Sequence, residues 1–133
     1  MTRFVLEHGE GPRETSVSAP DELDALLDQI TTEAHHAGRP ELPTLYDEGG
    51  RSLAIGVGNP LSVLAWLDES TGDSLLSVGD LVEDDHQEVS FFYGNQYSFF
   101  PATALVPTGI AREAIRQFVT SEVRPTVVEW QSP

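Results

Sequence analysis

The chain contains no cysteine and no lysine, and only one methionine. Without cysteine there can be no disulfide, no thiolate nucleophile and no cysteine-based zinc site. All seven basic residues are arginines; they face 22 aspartates and glutamates, for a formal net charge of −15. That imbalance argues against nucleic acid as a partner, because phosphates are repelled across the surface. It fits either simple solubility or a basic protein partner, whose encounter an opposite field accelerates. No apolar run approaches the ~18 residues of a membrane span, so no membrane association is expected. The opening Met1-Thr2-Arg3-Phe4-Val5-Leu6 is too short an apolar segment for a secretory leader, and a cytoplasmic location is the expectation. There is no repeat, linker or low-complexity tail, so residues 1–133 are read as one domain.

What is present is hydrophobic pattern. Residues 3–8 and 13–17 alternate as two strands around a Gly-Glu-Gly-Pro turn. Ser18 suits a helix N-cap, Pro20 the first turn, and Asp21 a capping box. Leu23, Leu26, Leu27, Ile30 and Ala34 then recur at helical spacing until Gly38 and Pro40. Strands are expected at 42–47, 51–58 (Leu53, Ile55 and Val57 on one face), 61–67, 74–78 and 89–93, and residues 97–100 are read as extending the sheet. A second helix over 108–121 carries Ala111, Ala114, Ile115 and Phe118, and a last strand covers 126–130. The expected fold is α+β: a mostly antiparallel sheet of six to eight strands, with helices near 19–37 and 108–121 packed on it. Leu23, Leu26, Leu27, Ile30, Ile55, Leu64, Ile115, Phe118 and Trp130 are expected in the core, with Trp66 mostly buried.

Few constellations carry chemistry. His35 and His36 are adjacent on a helix, about 100° apart, and cannot readily share one metal ion. Gly56-Val57-Gly58-Asn59-Pro60 leads into a strand pattern rather than a helix, so it reads as a turn and not a phosphate loop. Serines lack a nucleophile-elbow setting, and carboxylate pairs are too common here to signal catalysis. The run Glu83-Asp84-Asp85-His86-Gln87-Glu88 lacks EF-hand spacing; it is either a solvated loop or a contact patch for a cation-rich protein. Six of the eleven aromatic residues fall between Phe91 and Phe100. Alternation sends Phe91 and Tyr93 to one face and Phe92 to the other. Some of the six must be core, while those over 97–100 can stay exposed as interface anchors.

The order of segments adds a second source of inference. Leu53-Ala54-Ile55-Gly56-Val57-Gly58 precedes Ser62-Val63-Leu64; Gly72 and Ser77-Val78-Gly79 follow; then come Phe92-Tyr93-Gly94, Leu105-Val106-Pro107 leading into a helix with Ala111-Arg112, and Arg124-Pro125 before Trp130. This ordered set, spanning roughly residues 50–130, resembles the immunity proteins of bacterial polymorphic toxin systems, specifically family one. The first 45 residues match only in shape. The chain departs from the family pattern in having no acidic residue between Gly94 and Pro101. The resemblance implies a non-enzymatic antitoxin, without cofactor or metal, that binds a cognate basic toxin domain acting on nucleic acid, a deaminase or a nuclease. Homo-oligomers are compatible with it. The expected toxin-binding residues are Asp80, Glu83, Asp84, Asp85 and Glu88, with Tyr93, Tyr97 and Phe99 beside them. The competing reading is a small enzyme or ligand-binding α+β domain with a pocket between sheet and helices.

Overall fold

Leu53 and Ile55 alternate with Ser52 and Ala54, and Leu64 and Trp66 with Val63 and Ala65. Successive strand residues face opposite ways, so these strands offer apolar surface on both sides and need cover on both. The computed structural model describes residues 3–9, 13–82, 86–93 and 95–133. Its elements run β1 (Phe4–His8), β2 (Arg13–Val17), α1 (Pro20–Ala37), β3 (Thr44–Tyr46), β4 (Arg51–Ile55), β5 (Leu61–Ser62), β6 (Leu64–Asp68), β7 (Asp73–Val78), β8 (Glu88–Tyr93), β9 (Gln96–Pro101), a short 3-10 turn (Ala102–Ala104), β10 (Val106–Pro107), α2 (Thr108–Ser121) and β11 (Glu129–Gln131). Seven strands form the main sheet in the order β11-β7-β6-β4-β3-β1-β2, all neighbours antiparallel. β5 pairs with β10, and β8 with β9, as two small separate sheets. The fold is α+β, as expected.

The helices cover one face. Leu23, Leu27 and Ile30 of α1 and Ala111, Ala114, Ile115 and Phe118 of α2 pack on Phe4, Leu6, Leu53, Ile55, Leu64 and Trp66. Phe118 meets the rings of Phe4 and Trp66 edge-on, each at 5.1 Å. The opposite face packs Ala54, Val63 and Leu76 against Phe91, Phe100 and Ala104. Of the expected core, Leu26 and Trp130 are only half-buried. Leu26 flanks the apolar stripe of α1, and Trp130 lies on the edge strand β11, where its indole N–H donates to the Pro125 carbonyl at 2.9 Å.

Local signals place most boundaries. Gly38 ends α1 in the left-handed conformation (φ 63°), its N–H bonding to the His35 carbonyl and that of Arg39 to Ala34. At the start of α1 the expected roles shift by one. Ala19 is the N-cap, and Glu22, not Asp21, reaches back to accept the Ser18 N–H at 3.1 Å. The expected strand at 61–67 breaks at Val63, whose carbonyl accepts from the Gly56 N–H at 2.9 Å. The last strand starts at Glu129 rather than 126, because the Gln117 side chain holds the Thr126 N–H and hydroxyl against α2 at 3.0 and 2.9 Å. The stretch 97–100 does not extend the main sheet; it belongs to the β8–β9 hairpin stacked across that sheet's second face. Truncating Phe118 to alanine removes a fully buried ring from between two others. The expected cost is about 3–5 kcal/mol, read as a lowered denaturant midpoint.

Candidate functional site

The β8–β9 hairpin turns at Asn95, a residue type that tolerates the left-handed backbone it adopts there (φ 71°). Its register sets Ser90 opposite Phe99, Phe91 opposite Ser98, Phe92 opposite Tyr97 and Tyr93 opposite Gln96. The pleat then divides the side chains. Val89, Phe91, Tyr93 and Phe100 face the main sheet. Glu88, Ser90, Phe92, Tyr97 and Phe99 alternate to the other face. Phe91 is fully buried, while Tyr97 is 53% and Phe99 65% exposed.

Phe92 is held from three sides. Tyr97 packs edge-on at 5.4 Å, the Arg39 guanidinium lies 3.9 Å above the ring, and the Phe92 backbone bonds to Pro40 (2.7 Å) and Leu42 (3.0 Å). The segment at 40–42 thus ties the hairpin to the rest of the fold through the Glu41–Val57 bridge.

Tyr93 points the other way. Its hydroxyl donates to Glu7 Oε1 at 2.8 Å. That uses its one proton, so the 2.8 Å contact with Tyr46 is a bond donated by the Tyr46 hydroxyl. Burial, then the Tyr46 and Glu7 bonds, hold the Tyr93 phenol well above its ordinary ionisation range. The network joins β8 to β3 and β1, elements 47 and 86 residues away in the chain.

The acidic loop leaves β7 through Gly79, whose N–H donates to the Thr103 carbonyl at 2.7 Å. A Cβ at Gly79 would lie 1.7 Å from the Leu105 carbonyl oxygen, so only glycine fits this approach. Asp80 and Glu88 are exposed at the two ends of the loop. Glu83, Asp84 and Asp85 lie outside the described residues. Of the expected contact residues, the structure brings Glu88, Tyr97 and Phe99 onto one outward surface and turns Tyr93 inward.

The family model of immunity protein Imm1 matches residues 11–132. The chain belongs to the Imm1 family of immunity proteins. The match takes in β2 and α1, beyond the stretch where residue motifs are visible. Comparison with curated proteins finds no match.

For an Imm1 protein, surfaces matter as much as hollows. One cavity of about 460 Å³ opens between α1, β4–β5 and the start of α2, lined by Thr31, His35, Asn59, Ser62, Thr108 and Arg112. Its arginine is already engaged by Asp28 at 3.0 Å and Asp24 at 3.6 Å. Arg116 grips Asp24 as well, at 2.8 Å. Two of the four acids in the first half of α1, Asp24 and Asp28, therefore serve the contact between helices. Among the described residues no group of three or more His, Asp or Glu side chains is placed to hold a metal ion, and no helix is long and apolar enough to cross a membrane.

Two outcomes follow from this geometry. Gly79→Ala should cost several kcal/mol on the scale of overpacking (about 1–3 or more), whereas Gly109→Ala, with open space around it, should be neutral or stabilising by up to about 1 kcal/mol; paired thermal melts check the contrast. For Tyr93, the folded phenol holds its proton more tightly than the unfolded one. Its contribution is complete below the free value of about 10 and is lost as pH rises beyond it. Tyr93→Phe should lower stability near neutral pH by about 1–3 kcal/mol and flatten the fall above pH ~10, measured by denaturation across pH.

Proposed function

We propose that this Imm1 protein binds a cognate toxin domain acting on nucleic acid, a deaminase or a nuclease, and neutralises it by occupancy rather than by any turnover of its own. Family membership over residues 11–132 carries the reading. The charge of −15 supports it: an enzyme that grips phosphates presents a basic cleft, and a strongly negative protein is steered to such a cleft. The proposed contact surface is the outer face of the β8–β9 hairpin with the loop before it. Asp80, Glu83, Asp84, Asp85 and Glu88 steer, and Tyr97 and Phe99 anchor. Charge alone leaves a wet, salt-sensitive contact; exposed aromatic rings supply the desolvated area that slows dissociation. Tyr93 contributes from behind, holding the hairpin through Glu7 and Tyr46.

The test uses the toxin domain encoded by the adjacent gene. Replacing Glu83, Asp84 and Asp85 together by their amides should lower the association rate and shrink its dependence on salt, with dissociation nearly unchanged. Phe99→Ala should instead speed dissociation, by about thirtyfold for an anchor worth about 2 kcal/mol. Unchanged kinetics for both variants would move the contact surface away from this hairpin.

A further inference from the structure

We propose that the outer edge of β9 is a strand-addition site, and that its occupant is an extended, cation-rich segment of the toxin domain; this rests on the reading of the chain as a toxin-binding immunity protein. The backbone of the hairpin carries the inference. The Ala102 N–H donates to the Gln87 carbonyl at 2.8 Å, which sets the phase of the ladder. Bonded pairs then recur every second residue, at Val89–Phe100, Phe91–Ser98 and Tyr93–Gln96. The intervening residues turn their N–H and C=O groups away from the partner strand. On β8 that outward row is engaged at Phe92, which bonds to Pro40 and Leu42. On β9 the outward row is the N–H and C=O of Tyr97 and Phe99 and the C=O of Pro101, and among the described residues none of these meets a backbone partner.

The other long edge is defended and this one is not. The outer strand β2 carries Arg13 and Glu14, and β11 is three residues long with Glu129 in it. β9 has six residues, Gln-Tyr-Ser-Phe-Phe-Pro, with no charge and with two exposed rings. Uncharged, open edges of this length are templates for another strand. Charge selects the occupant. A second copy would bring another −15 to the same edge, with Glu88 beside Pro101 in each, whereas arginine or lysine on an incoming strand would meet Glu88 and the faces of Tyr97 and Phe99 favourably.

Amide hydrogen exchange on the full chain, with and without the adjacent gene's toxin domain, reads the edge directly. The Tyr97 and Phe99 amides should become protected by at least about tenfold on binding, while those of Phe91 and Ser98, already in the ladder, should change little. A variant pair gives an independent readout. Phe99→Ala and Phe99→Pro both remove the ring, but only proline removes the outward N–H, and it breaks no bond to β8. The proline variant should dissociate about tenfold faster than the alanine variant; should proline prevent folding, exchange on the native chain decides. Tight toxin binding with unprotected Tyr97 and Phe99 amides would overturn strand addition and leave the immunity reading standing. Absence of any binding would overturn both. Protection that appears in the chain alone as concentration rises, with a dimer in sedimentation, would overturn the toxin strand as occupant.

Discussion

Phe91 is fully buried with its ring against the backbone of Gly56, so close that a Cβ on Gly56 would lie 2.6 Å from the ring. Much else depends on that contact. It seats the β8–β9 hairpin on the second face of the main sheet, where Phe100, Ala104 and Leu42 complete a core independent of the helices. Central strands that are apolar on both sides require such a cover, since an exposed sheet face of that composition would be an aggregation hazard. Once Phe91 is seated, the pleat leaves no choice for its neighbours. Tyr97 and Phe99 must face outward, with Phe92 on the same face buried beneath Arg39 and Tyr97. The outward aromatic surface is thus a by-product of covering the sheet.

The electrostatics follow a similar division. Among the described residues, six arginines lie within 4.0 Å of a carboxylate of the same chain. The pairs exposed on both sides, Arg13–Glu33 and Arg124–Asp73, are worth little individually, about 0–1 kcal/mol. The more important effect of all these pairs is to neutralise the positive charge locally. The surplus carboxylates then dominate the field that an approaching molecule meets. The arginine pairs joining α2 to α1 also fix the helix layer as a unit, on the side of the sheet away from the hairpin. Fold maintenance and the negative exterior therefore draw on the same small set of cations.

Recognition of a protein partner asks for different things from recognition of a small molecule. A pocket needs converging polar groups with capacity to spare, and the arginine in the cavity beside α2 is already shared between two aspartates. A contact surface needs rigid, partly exposed apolar groups and a complementary field. The hairpin supplies the first because β8 is pinned from behind, Tyr93 through Glu7 and Tyr46 and Phe92 through its backbone bonds to Pro40 and Leu42, and β9 is held to β8 by its ladder and to the core by Phe100. Rings held in this way lose little freedom on binding, which is where affinity is gained.

Periodicity alone located both helices within a residue, because spacing of three and four in Leu23, Leu27, Ile30 and in Ala111, Ala114, Ile115, Phe118 is written in neighbouring positions and ends at Gly38 and Glu122. The α+β class and the family resemblance were equally open to inspection. Alternation also showed that Phe91 and Tyr93 share one face and Phe92 the other. It could not say which face would be covered, since that depends on the surface Gly56 offers 35 positions earlier. Nor did any local signal join Tyr93 to Glu7, or Arg39 to the ring of Phe92. Periods and turns are properties of adjacent residues and survive in an isolated segment. The separation of the hairpin from the main sheet, the inward turn of Tyr93 and the open edge of β9 exist only after distant segments have packed, because each depends on which backbone groups and faces the rest of the chain has already occupied.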